Sequence, residues 1–174
     1  MSILKILLIV FVILIVFIGI FLVYMGAFMK PIVSAKNSER YFFVHKEIDG
    51  GDFSKVGSTT TEIHSILDSN GIKEAKPFQI YFPPEENRNS KIGFVLHEND
   101  YKSLPKTNLN SEILESTECM MVSFPWKNSF SYIFSYMPVK KSLESHRQIN
   151  NYKNTYIMVL NNGNEILYIQ PIVK

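Results

Sequence analysis

A run of 23 residues, Ile6–Phe28, in which only Gly19 and Gly26 fall outside the apolar set, is the first limit on what this chain can become. It carries no charge. At about 1.5 Å per residue it would form a helix of roughly 34 Å, enough to cross a ~30 Å hydrocarbon core with some tilt. A secretory signal has an apolar stretch of only ~7–15 residues, followed by a small-x-small cleavage site. This run is longer, and Tyr24-Met25-Gly26-Ala27-Phe28 matches such a site poorly. Cys119, the only cysteine, lies too far from the N-terminus for a bacterial lipoprotein. The reading is an uncleaved anchor over residues 1–30, a single-pass membrane protein with the lipid bilayer as partner of residues 6–28. Lys5 flanks one end and Lys30, Lys36 and Arg40 the other, so the positive-inside tendency separates the two orientations poorly. In a bacterium the extracytoplasmic side is the favoured place for the soluble part.

The rest of the chain is ordinary in composition. Taking the 21 apolar residues of the run away from the 46% of 174 leaves an apolar share near 39%. Setting Lys5 and Lys30 aside leaves 16 basic against 16 acidic residues, which gives no basic excess of the kind nucleic-acid binders show. No nucleic-acid partner is expected. The signs are split, with 10 basic and 14 acidic groups over 35–118 and 6 and 2 over 119–174, which reads either as two solvated faces or as an anion preference in the second half. Cys119 sits in an apolar run and reads as an inert core thiol. His45, His64, His97 and His146 have no metal-ligand spacing, so neither a metal nor a cofactor is expected. Ser58-Thr59-Thr60-Thr61-Glu62 lacks the glycines of a phosphate cradle, and Thr59 with Glu62 resembles a helix-capping pair.

Pro31–Ser38 reads as a polar linker, giving three segments: an anchor over 1–30, a linker over 31–39 and a domain over 40–174. Tyr41–Glu47 has strand character and Asp49-Gly50-Gly51-Asp52 is a turn. Phe53, Val56, Thr60, Ile63 and Leu67 recur at helical spacing, and Asn70-Gly71 is a helix stop. Strands follow at Phe78–Phe82 and Lys91–Glu98, then a loop over 99–115. The second half repeats the plan: a strand at Glu118–Phe124 and a helix from Phe130 to about Gln148. The helix has an irregular start around Pro138, with Val139, Ser142 and Leu143 as its buried stripe. Strands at Tyr156–Leu160 and Glu165–Pro171 flank an Asn161-Asn162-Gly163-Asn164 hairpin. The fold class is therefore α+β: a transmembrane helix, then a duplicated strand–helix–strand–strand domain with pseudo-twofold symmetry. Its repeats span about 40–98 and 117–173. A groove between the two helices, over the sheet, is the natural concave site.

Several short motifs then carry a resemblance. Gly51-Asp52-Phe53-Ser54-Lys55-Val56-Gly57, Asn70-Gly71-Ile72 and Pro77-Phe78-Gln79-Ile80-Tyr81-Phe82-Pro83-Pro84 resemble the GyrI-like small-molecule-binding superfamily, also called the effector-binding fold. Phe124-Pro125-Trp126-Lys127-Asn128, Phe130-Ser131-Tyr132, Val139 with Leu143, and Tyr168-Ile169-Gln170-Pro171-Ile172 look closest to one membrane-anchored branch. That branch contains the testis-expressed ER-phagy receptor and its bacterial relatives. The resemblance covers roughly 40–172. It implies a ligand groove on the pseudo-dyad, and relatives that bind hydrophobic or cationic molecules, sequester proteins or hydrolyse small molecules. Drug-binding and hydrolytic members place a glutamate on the strand after the second helix. Here Thr155-Tyr156-Ile157-Met158-Val159 holds none, and Glu144 and Glu165 are the nearest acids. That departure argues against cation selection and against hydrolysis.

The candidate ligand-binding residues are Tyr81, Tyr156, Met158, Tyr168 and Trp126. Alternation puts Gln79 and Tyr81 on one strand face, where Tyr81 either lines a groove or covers the sheet with its hydroxyl in water. Tyr156, Met158 and Tyr168 form a similar set on the second repeat, with core packing the alternative for Met158. Trp126, in a turn, reads as a rim, partner or membrane-surface contact, or as a local plug over the helix end. No nucleophile motif is visible, so catalytic residues are not assigned. The expected function is a membrane-anchored domain that binds a neutral apolar or aromatic ligand without chemistry, with Tyr81 and Tyr156 approaching one cavity from both sides. The alternatives are a membrane-tethered module that docks a protein partner through its folded surface and, third, a small-molecule hydrolase.

Overall fold

The computed structural model describes residues 3–49, 54–86 and 88–174. Its first element, α1 (Ile3–Tyr24), is a helix whose Lys5–Tyr24 stretch is long and apolar enough to cross a membrane and is not buried inside the rest of the fold. The helix stops short of the end of the apolar run. Gly26, at φ +76°, takes the left-handed position, while Ala27 and Gly26 donate their N–H groups to the Leu22 and Val23 carbonyls. This is a Schellman stop. The chain beyond it does not hold the domain at a distance: Met25 is buried, and a Cβ on Gly26 would come within 2.9 Å of the Phe124 ring.

The expected linker is also corrected. Residues Ser34–Asn37 form β1, which pairs antiparallel with β6 (Glu118–Pro125) from Ser34–Met121 to Asn37–Glu118. All four are exposed, so no burial pattern announces the strand. The unpaired backbone at the edge of β6 recruits them.

From Tyr41 the order strand–helix–strand–strand occurs twice. The first set is β2 (Tyr41–Ile48), α2 (Ser54–Ser69), β3 (Lys76–Tyr81) and β4 (Ser90–Leu96). The second is β6, α4 (Phe130–Ile149), β7 (Ile157–Asn161) and β8 (Glu165–Pro171). The expected loop over 99–115 instead contains α3 (Glu98–Ser103) and β5 (Asn110–Leu114), an edge strand on β2. Gly50, Gly51 and Asp52 of the expected turn, and Phe53, lie outside the described residues. Because α2 already begins at Ser54, Thr59 and Glu62 are mid-helix and form no cap; Glu62 pairs with Lys46 of β2. α4 runs unbroken through Pro138 and buries Ser131, Ser135, Val139 and Leu143, while Ser142 is only half-buried.

All eight strands form one antiparallel sheet in the order β1-β6-β8-β7-β3-β4-β2-β5. β1 and β2 are six places apart, about 29 Å across a flat sheet at ~4.8 Å per strand. Residues 38–40, which join them, can reach only about 14 Å. The sheet must therefore curl until its edges approach each other. Ser38 fastens the join: its N–H donates to the Thr117 carbonyl at 2.8 Å, its hydroxyl accepts from the Thr117 N–H at 3.1 Å, and its carbonyl accepts from Ser116 Oγ at 2.6 Å.

Curling makes two apolar layers instead of one. The outer face carries the helices, with Ile63 and Leu67 of α2 against Val44 and Phe94, and Val139 and Leu143 of α4 against Val122 and Tyr168. The inner face closes on itself, bringing Tyr41 and Phe43 of β2 into one cluster with Cys119 and Met121 of β6. The Cys119 thiol is buried there, as its apolar setting predicts. Covered on both faces, a strand such as β2 is buried at five consecutive positions.

Candidate functional site

The seam between the two halves is the β3–β7 pair, registered Gln79 to Val159 and Tyr81 to Ile157. Over it, on the helix-bearing face, lies a cavity of about 730 Å³. Tyr81, Pro83 and Arg88 line it from the first half, and Tyr136, Leu143, Glu144, Ile157 and Gln170 from the second. Both halves thus supply walls. On the first half's side, the described wall is Asp49 with residues 81–85 and 88–90 rather than α2.

Tyr81 is half-buried and donates its hydroxyl proton to Gln79 Oε1. Burial pushes its phenol well above the usual tyrosine range, and the Tyr136, Tyr168 and Tyr132 phenols add to the shift. It stays neutral at any physiological pH. Its ring meets Tyr136 edge-on at 6.4 Å between centroids and 64° between planes. Tyr136 stands 40% exposed, so the pair presents aromatic surface to the cavity. Gln170 is buried, and its amide donates to the Thr155 carbonyl at 3.1 Å. The charges on the walls, Lys140 and Arg88 against Asp49, Glu85 and Glu144, are of both signs, and none lies on the strand seam. Among the described residues no group of three or more His, Cys, Asp or Glu could hold a metal ion. The arrangement can stack on a flat apolar molecule and offer phenol and amide hydrogen bonds. Nothing on the seam supplies an activated nucleophile.

The sequence matches no known family and no curated protein. The fold does have solved counterparts. The EcmrR C-terminal domain superposes with a TM-score of 0.60 at 12% identity, over 84% of this chain and 99% of that one. EcmrR in its complex with DNA gives 0.59 at 14% identity, over 84% of this chain but only 59% of that one. SAV2435 bound to tetraphenylphosphonium gives 0.55 at 9% identity, over 82% and 94%. The chain shares the fold of the EcmrR C-terminal domain and of SAV2435.

Within that fold the expected site residues separate. Tyr81 lines the cavity. Tyr168 shares its face but lies beneath α4, only 2% exposed, with its hydroxyl 2.6 Å from Ser135 Oγ. Ser135 spends its own proton on the Ser131 carbonyl, so Tyr168 is the donor. Its phenol is pushed up to about 12 by burial, against a lowering contribution from the Ser135 bond. Tyr168 backs the groove without lining it.

Tyr156 is corrected, and Met158 takes the core position that was its alternative. The register sets Ile157 opposite Tyr81, and neighbours along a strand point to opposite faces. Met158 is therefore wholly buried in the inner core, and Tyr156 packs there on Phe82 with centroids 5.9 Å apart. The expected pairing of Tyr81 with Tyr156 does not form. Trp126 is half-buried and set edge-on to Tyr132 at 5.3 Å, a local cover over the start of α4 away from the groove. The seam positions that face the groove side on β7 are Ile157 and Val159, both apolar. Glu144 reaches the wall from α4, whereas Glu165 accepts from Ser123 at the sheet's other side.

Sequence reasoning missed Tyr136 and Gln170. Both had a signal. Gln170 continues the Ile166, Tyr168 alternation along β8, and Tyr136 lies seven residues before Leu143 on one side of α4.

Proposed function

We propose that this protein is a membrane-tethered receptor domain that binds a neutral aromatic or apolar small molecule, without chemistry, in the groove over the β3–β7 seam. The observation that carries the reading is the edge-on pair of Tyr81 and Tyr136 in a cavity of about 730 Å³ whose seam holds no carboxylate. That volume falls within the range of small-molecule sites. The strand order reads β6-β8-β7 then β3-β4-β2, which supports a pseudo-twofold axis through the seam and a groove shared by two related units. SAV2435 is a counterpart of the fold with a bulky aromatic ligand, tetraphenylphosphonium. A buried neutral phenol selects by stacking and hydrogen bonding; the seam offers a positive charge only ring faces, and the wall carboxylates Asp49, Glu85 and Glu144 share the cavity with Arg88 and Lys140. α1 spans the bilayer and keeps the groove at the membrane.

The test is a titration of the full chain in lipid nanodiscs with a shape-related pair, neutral triphenylphosphine oxide and cationic tetraphenylphosphonium. Saturable one-to-one binding of the neutral compound, about tenfold tighter than the cation, is the expected result. Tyr81→Ala should weaken it by a further factor of about 10–30, since stacking and one hydrogen bond together contribute about 2 kcal/mol. Absence of saturable binding, or a tighter cation, contradicts the reading. Release of the chain from membranes by alkaline carbonate would contradict the span.

A further inference from the structure

The first turns of α4 have two opposed faces, one packed on the sheet and one apolar and exposed. Ser131, Ser135 and Val139 are buried on the sheet side. On the far side Phe130, Ile133 and Met137, three and four residues apart, stand 54%, 68% and 57% exposed. Such a stripe is unlike a solvated helix face, which would carry charged and polar residues. Further along the same side the residues are polar, with Lys141 and Gln148 exposed.

One end of the stripe, with the neighbouring Phe134, lies against the end of α1. The Phe21 ring meets Phe130 at 6.4 Å and Phe134 at 6.2 Å, both edge-on. Lys127 Nζ stands 5.5 Å above the Tyr24 ring, and Asn128 Nδ2 reaches Met25 Sδ at 3.8 Å. The next step rests on the reading of α1 as a bilayer span. The 20 helical residues Lys5–Tyr24 reach about 30 Å, about the thickness of the hydrocarbon core, which sets Tyr24 near its boundary. Phe21, three residues before the end, then lies about 5 Å inside the boundary. Rings packed on Phe21 are held at that level with it.

We infer that the first two turns of α4 lie in the headgroup–acyl boundary of the same bilayer, with Phe130, Ile133 and Met137 inserted among the lipid chains. Lys127, Lys140 and Lys141 then sit at the level of the lipid phosphates, their aliphatic stems along the apolar surface. The span and the helix face together fix how the domain stands on the membrane. Tyr136 and Lys140 belong to the same helix and line the groove. The groove wall therefore stands at the lipid surface, where an apolar ligand arrives from the membrane phase.

The test uses the full chain in phosphatidylcholine–phosphatidylglycerol nanodiscs, with a nitroxide attached in turn to Ile133→Cys, Met137→Cys, Gln148→Cys and Val10→Cys. Cys119 is fully buried and does not compete for the label. Collision rates with oxygen, which concentrates in lipid, and with a water-soluble nickel chelate report depth. Labels at 133 and 137 should show the oxygen excess of the label at 10, while the label at 148 shows the nickel excess of water. Nickel excess at 133 and 137, with oxygen excess at 10, overturns the inference and leaves the span in place. Shielding of 133 and 137 from both reagents also overturns it, in favour of a protein or a second copy covering the stripe. Nickel excess at 10 overturns the span itself, and this inference with it.

Discussion

Replacing Ile157 by glutamate would set a carboxylate on the seam beside Tyr81, whereas the same change at Tyr156 would set one on the inner face, within electrostatic reach of Glu112 and Cys119. The first change is expected to raise affinity for tetraphenylphosphonium about tenfold, and the second to leave it unchanged. Tyr156→Glu should instead cost about 2 kcal/mol of stability, because a carboxylate there is partly desolvated and comes within reach of the like charge of Glu112. Parallel titrations and denaturant melts of the two variants separate these outcomes. His45 offers a second residue-scale test. It is buried on the inner face with neither ring nitrogen hydrogen-bonded; Nε2 stands 3.7 Å from Glu112, whose carboxylate is held by Lys91. Burial pulls its pKa below the ordinary 6.5, Lys91 lowers it further, and Glu112 and Glu47 oppose the shift. The unfolded chain therefore binds a proton that the folded one refuses. Stability from this site is full above pH 6.5 and falls as pH drops below it. Urea melts between pH 5 and 8 should show that loss in the wild type and a smaller one in His45→Phe.

Among the elements, β4 is held to β2 by a position that tolerates no side chain. Gly93 faces His45 in the register, and a Cβ there would fall on the Val44 carbonyl oxygen and within 2.8 Å of His45 Cα. Both obstacles are backbone, so the strands themselves would have to part. Gly93→Ala is expected to cost about 3 kcal/mol, read as a lower denaturant midpoint. β8 has the bounds its alternation predicts, Glu165–Pro171, and α2 ends where Asn70-Gly71 signals, with Gly71 at φ +78°. β1 and β5 escape such reading: Ser34–Asn37 is exposed throughout, and Asn110–Leu114 at every position but its last. Edge strands of this kind are specified by the partner they pair with. Tyr81 was legible because β3 alternates cleanly, Phe78 and Ile80 buried on one face and Gln79 with Tyr81 on the other. Tyr156 was not, because both faces of β7 are apolar and one residue of register decides between them. The apolar residues on the outer side of α4 likewise obscured its phase, and with it Tyr136.

At the scale of the molecule, the sheet curls round an inner core, carries a helix on each half of its outer face, and leaves the seam between the halves open to a cavity. The register of β7 turns Met158 and Tyr156 to the face of Phe78 and Ile80, curling closes that face into a core, and Tyr81 and Tyr136 remain on the cavity side. The central claim is that a neutral aromatic molecule sits on that pair. Benzophenone, itself a neutral diaryl ketone, tests it directly when photoactivated on the full chain in nanodiscs and its adducts are mapped by mass spectrometry. The account predicts adducts on Tyr136, Leu143 or Ile157 that excess triphenylphosphine oxide suppresses, while labelling of α1 from the lipid persists. Suppressible adducts confined to Phe43, Tyr156 and Met158 on the inner face, or none at all, would contradict it.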